Sequence, residues 1–157
     1  MSYDFNADDI FEIAEQLERN GAAFYRDAAD SLNDGDVKQF LLEFAAMEDE
    51  HEKTFINLRK ELTAAEKTST VFDPNNESAL YLKALADTRV FFKKEIDTSS
   101  IEEIFKSAIT AEKDSIVFYL GMKDLVPGAL GKDKMDDIIK EEMGHIKVLS
   151  QKLAALK

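Results

Sequence analysis

No cysteine occurs in the sequence, so disulfides, thiolate zinc sites, iron–sulfur clusters and any cysteine-ligated iron module are excluded from this chain. Proline and glycine are scarce, two and six among 157 residues, which leaves few points at which a long helix must stop. Positive charge is also short. Lys and Arg number 20 against 32 Asp and Glu, for a net charge of −12, which repels phosphate backbones and anionic lipid; no nucleic acid or membrane partner is expected. No apolar run approaches the ~20 residues that span a bilayer, and the opening MSYDFNADDIFE lacks the basic-then-apolar order of a secretory signal. The expectation is a cytoplasmic protein that meets small molecules, metal cations or another protein.

What the chain does have is apolar content, 45%, enough to build the core of a single domain spanning residues 1–157. Apolar residues recur at helical spacing almost throughout, so the fold class is all-α. The pattern predicts a helix from about Ala7 to Ser31, ended by Asn33-Asp34-Gly35, and a second from Asp36, as N-cap, to about Glu66, where TSTVFDPNN breaks it. A shorter helix from about Glu77 to Glu95 precedes Thr98, Ser99 and Ser100, which offer caps for a helix running to about Asp124. The segment VPGALG makes a tight connection, and a last helix runs from about Lys132 almost to the end. Two hairpins of a four-helix bundle therefore need a crossover, containing the short helix, that is long enough to span the bundle.

Each long helix carries a glutamate in the middle of its apolar seam. On the second helix the seam reads Val37, Leu41, Phe44, Glu48, His51, Phe55, Leu58 and Leu62, alternating steps of four and three. The fourth repeats it with Met135, Ile138, Glu142, His145 and Leu149. The first offers Phe11, Ala14, Glu18, Gly21 and Tyr25, and the third Phe105, Ala108, Glu112, Ser115 and Tyr119. From 18 to 112, 48 to 142, 51 to 145 and 25 to 119 the step is always 94, so the chain reads as two related helical hairpins.

Four buried carboxylates and two imidazoles are very unstable alone, since an unpaired buried charge costs several kcal/mol. Two divalent cations neutralise the four carboxylates, and each imidazole gives one ion a nitrogen. Mixed oxygen and nitrogen ligands suit iron or manganese, or a mixed pair, more than calcium. The candidate metal ligands are Glu18, Glu48, His51, Glu112, Glu142 and His145, in the Glu-x-x-His pattern of di-iron and di-manganese bundles. Tyr25 and Tyr119 lie two turns, ~10 Å, from Glu18 and Glu112, too far to touch their own glutamate; they read either as hydrogen-bond partners of a ligand carboxylate on a neighbouring helix or as core tyrosines whose hydroxyls take any available partner. Asn20, Asp114, Asp49, Glu50 and Glu141 fall off the seam and are excluded as ligands. Glu15 borders it as a candidate extra ligand, although its counterpart is Ile109.

With E-x6-Y on the first and third helices and ExxH on the second and fourth, the chain resembles a rubrerythrin-type member of the ferritin-like di-iron carboxylate superfamily, from about Ala7 to Leu153. The crossover segment YLKALADTRVFF resembles the corresponding segment in relatives without a rubredoxin domain. The resemblance implies two irons bridged by Glu48 and Glu142, with Glu18, Glu112, His51 and His145 as terminal ligands. It implies a cytoplasmic di-iron redox enzyme of oxidative stress that reduces hydrogen peroxide, or reacts with dioxygen, using an external electron-donor protein, in a homodimer. Two departures stand out: Ser115 occupies the seam where rubrerythrin proper has an added glutamate ligand, and the chain has no cysteine for a rubredoxin iron. A ferritin-like ferroxidase and iron store is the alternative, and a metal-free helical interaction protein a third.

Overall fold

The computed structural model describes residues 7–62, 80, 81, 100–124, 126 and 128–156. Four long helices are found among them: α1 (Ala7–Asp30), α2 (Gly35–Lys60), α3 (Ile101–Lys123) and α4 (Ala129–Ala155). There is no strand among the described residues. α1 packs along α2 and α3 along α4, giving the two expected hairpins of a four-helix bundle. The expected crossover helix from Glu77 to Glu95 lies outside the described residues, apart from Leu80 and Tyr81, which are helical.

Local chemistry sets the helix ends, and it moves three of the expected boundaries. α2 is capped by Asp34, two residues before the expected Asp36; the Asp34 carboxylate accepts from the backbone N–H groups of Asp36 (3.0 Å) and Val37 (3.1 Å). The same helix ends at Lys60, short of Glu66. The Glu61 N–H turns back to the carbonyls of Asn57 and Arg59, and Arg59 and Lys60 place positive charge on the last turn. α3 starts where expected, with Ser100 Oγ accepting from Glu103 N at 3.1 Å. α4 begins at Ala129, three residues earlier than Lys132, because Gly128 turns the chain with φ of 84° and its carbonyl then accepts from Lys132 N–H. That turn is tight: a Cβ at Gly131 would come within 2.7 Å of Val126 Cγ1.

The apolar interior is divided in two. One cluster contains Phe11, Phe55, Tyr119, Met122, Met135 and Ile138, the other Tyr25, Leu41, Phe44, Ile104, Phe105 and Leu149. Each draws on all four helices, so the bundle is closed at two levels along its axis. The charged seam residues lie between the two levels. No helix among the described residues is long and apolar enough to cross a membrane.

Candidate metal centre

All six expected ligands meet in the middle of the bundle. Glu18 comes from α1, Glu48 and His51 from α2, Glu112 from α3, and Glu142 and His145 from α4; none is more than 6% exposed. The spacing of three puts each histidine one turn beyond its helix's glutamate, on the same face. Two sets of four donors result: Glu18, Glu48, His51 and Glu142, then Glu48, Glu112, Glu142 and His145. Within each set one atom per residue lies within 4.8 Å of the others. Glu48 and Glu142 belong to both.

Both imidazoles turn Nδ1 inward. His51 Nδ1 is 2.8 Å from Glu142 and 3.5 Å from Glu18, and His145 Nδ1 is 3.4 Å from Glu112 and 3.5 Å from Glu48. The two rings stack with centroids 5.9 Å apart. Proximity does not become hydrogen bonding, because the groups are not aligned for it. Among the described residues, the buried side-chain polar atoms left without a hydrogen-bond partner are Glu18 Oε2, Glu48 Oε1, His51 Nδ1, Glu112 Oε2, Glu142 Oε1 and His145 Nδ1. That is one atom from each of the six residues and none from any other described residue. A native interior pairs nearly all of its buried polar groups, so polar atoms orphaned together call for a shared partner.

The two tyrosines cross between the hairpins. Tyr25 of α1 donates to Glu112 Oε1 of α3 at 2.6 Å, and Tyr119 of α3 donates to Glu18 Oε1 of α1 at 2.5 Å. Each hydroxyl thus occupies one oxygen of a glutamate and leaves the other, Oε2, among the orphaned atoms. Both tyrosines are fully buried, and burial, reinforced by the nearby glutamates, pushes each phenol well above its usual value. They are permanent donors.

Crowding decides the protonation of the rest. Glu48 and Glu142 are held well above the ordinary carboxylate range, first by burial and then by the charge of the other glutamates. Glu112 moves the opposite way: burial, the largest influence, raises it, but Glu142, His145 and the Tyr25 hydroxyl together lower it. Burial would lower His51, yet Glu142 and Glu18 outweigh it and push it up to about 11. Without cations the centre is therefore a proton store.

Of the residues excluded as ligands, Asn20 pairs with Gln16, Glu50 with Lys53, and Asp49 with Arg26, all on the surface. Glu15 is no extra ligand. It is buried, but Arg59 takes its Oε2 at 2.7 Å and also binds Asp8 at 2.8 Å, so the carboxylate faces a guanidinium instead of the centre. Glu141, which falls off the seam, makes a contact that spacing did not suggest: its Oε2 lies 2.5 Å from His51 Nε2. That contact joins α4 to α2, and no single-helix periodicity could reveal it. Gly21 and Ser115 are both buried on the seam, one turn beyond Glu18 and Glu112.

Comparison with known proteins agrees with this geometry. The family model described as Rubrerythrin matches residues 9–153. Among solved structures, a Thermotoga maritima protein described as a ferritin-like diiron-carboxylate protein superimposes with a TM-score of 0.71 at 23% identity, covering 98% of this chain and 97% of the other. The fold is accordingly the ferritin-like four-helix bundle. A comparison with curated proteins returned no match.

Proposed function

The chain belongs to the rubrerythrin family, and from that premise we propose that it is a non-haem di-iron oxidoreductase that reduces hydrogen peroxide, or reacts with dioxygen, with electrons from an external donor protein. The observation that carries the metal reading is the set of six orphaned atoms, one on each candidate ligand. Glu48 and Glu142, common to both donor sets, would serve both ions; Glu18 with His51 and Glu112 with His145 would complete the two positions. Four carboxylates balance two divalent charges, so the protons held by Glu48, Glu142 and His51 leave as cations enter. Iron is proposed over manganese on the family and on the description of the Thermotoga maritima protein; the donor set accepts either.

Once bound, two ferrous ions supply the electrons that cleave an O–O bond and the positive charge that stabilises its oxygen products. The chain's own part is placement. Tyr25 and Tyr119 fix the terminal carboxylates by one oxygen each, so that Glu112 and Glu18 present the other without rotating away. The apolar clusters on either side keep bulk water from the buried carboxylates. The 157 residues hold no cysteine for a thiolate-ligated iron relay, which supports a separate protein as the electron donor.

Anaerobic loading with Fe²⁺, then stopped-flow absorbance against hydrogen peroxide and dioxygen separately, tests the activity. Oxidation that is faster with peroxide, at two irons per chain, is the expected result. Rapid dioxygen consumption with continued iron uptake would overturn it in favour of a ferroxidase that feeds a mineral store. A homodimer in solution belongs to the same proposal, and a shell of many subunits would contradict it.

A further inference from the structure

We propose that Glu141 is a positioning residue for His51 and makes the two metal positions unequal. The inference rests on the di-metal reading above and deepens it. His51 points Nδ1 into the donor cluster and Nε2 at Glu141 Oε2, 2.5 Å away. A neutral imidazole that offers Nδ1 to a cation carries its proton on Nε2. A carboxylate accepting that proton's hydrogen bond fixes the tautomer and the ring rotation, and makes the imidazole a stronger donor. Glu141 is suited to this. Its side chain is 61% exposed whereas that of Glu142 beside it is 1% exposed, so it reaches His51 from the rim of the centre without adding a fifth charge inside.

His145 repeats only the inner half of the arrangement. Its Nδ1 faces Glu112 and Glu48, and the Phe44 ring lies 4.7 Å from its own, but among the described residues no carboxylate accepts from its Nε2. The residue 94 positions before Glu141 is Met47, whose thioether is a weak acceptor. The ligand residues follow the internal repeat and this outer partner breaks it. The position built from Glu18, Glu48, His51 and Glu142 therefore binds its cation more tightly and exchanges it more slowly than the one built from Glu48, Glu112, Glu142 and His145.

Anaerobic titration of the metal-free full chain with Co²⁺, followed by calorimetry and visible absorption, tests this. The native chain should take two ions in two resolved steps. Glu141→Ala should weaken the tighter step by about 10-fold or more, the usual range for losing an outer partner of a ligating histidine, and leave the other within about two-fold. Glu141→Gln keeps an acceptor oxygen and should recover part of the loss. In proton NMR of the Co²⁺-loaded chain, one of the two paramagnetically shifted imidazole N–H signals should move in Glu141→Ala and the other stay. Met47→Glu should tighten the weaker step and bring the two together. Two ions bound with both steps unchanged, or equally weakened, in Glu141→Ala would overturn the proposal while leaving the metal centre standing. No binding by the native chain would overturn the metal centre itself.

Discussion

The two hairpins supply the same inward residues and different outward ones. Each gives a glutamate, a Glu-x-x-His pair and a tyrosine to the middle of the bundle, and each tyrosine crosses to the other hairpin's glutamate. Outside that layer the copies diverge: Arg59 ties Glu15 and Asp8 in the first, where the second has Leu153 and Ile109 at the corresponding positions of Arg59 and Glu15. α2 also lays Phe44 beside Tyr25 and Phe55 beside Tyr119, where α4 offers the aliphatic counterparts Ile138 and Leu149. The repeat is retained at the six candidate metal donors and the two tyrosines that reach them. It is free to drift where the task is only packing or surface pairing.

Substitutions that strike the shared donors should break the comparison most severely. Glu142→Ala removes a donor from both sets at once, so we expect both ions to be lost and peroxide reduction to fall by more than about 100-fold, beyond the range for an outer partner. His145→Ala should remove one position and leave the other. Metal analysis after anaerobic loading distinguishes these outcomes as none, one or two ions per chain.

The pH dependence of the metal-free protein probes the shared donors without changing a residue. His51 is raised from 6.5 to about 11, so the stability it contributes is complete below 6.5 and is lost as pH rises through 11. Glu48 and Glu142 are also raised, from 4.5, so the folded state holds their protons better and loses stability as pH climbs above that value. Glu112, lowered, acts in the opposite sense only below 4.5. The midpoint of thermal unfolding should therefore be lower at pH 9 than at pH 6, by about 3 °C or more, which is about 1 kcal/mol in a chain of this size. With cations bound the protons are already gone, and the trend should vanish or reverse. A metal-free protein more stable at pH 9 would mean that the carboxylates do not repel one another as the geometry requires.

Arg59→Leu sharpens the difference between the hairpins. It leaves the buried Glu15 without its cation and should cost about 1–3 kcal/mol in denaturant unfolding. Adding Glu15→Ile, which copies the second hairpin, should restore most of that loss; failure to do so would show that the ion pair does more than neutralise a buried charge. The smallest effects are expected from Tyr25→Phe and Tyr119→Phe, about 1 kcal/mol each and nearly equal, with each weakening the metal position on the glutamate it touches.

Most of the cluster was legible in the sequence because its candidate ligands obey helix arithmetic. A charged residue on an apolar seam is conspicuous, and a second copy 94 residues on removes coincidence. The tyrosine partners were also within reach, since two turns rule out a residue's own glutamate and leave those of other helices. What spacing could not supply was contact between off-seam side chains and residues of other helices. Glu141 sits about 100° round α4 from Glu142 and reads as any solvated acid, and Glu15, bordering the seam opposite Ile109 in the repeat, stays open as an extra ligand until Arg59 from α2 claims it. Helix ends were misjudged by two to six residues where a cap or turn with several candidate residues settled on one, as at Asp34 and Gly128.

The central claim is that the six orphaned atoms share cations. Equilibrium dialysis of the metal-free chain against Fe²⁺ without oxygen, read together with the thermal midpoint, addresses it most directly. Two ions per chain and a midpoint that climbs with metal concentration are the predicted outcome. An unchanged midpoint with no retained metal would contradict the account, and the polar layer would then be a buried store of protons and nothing more.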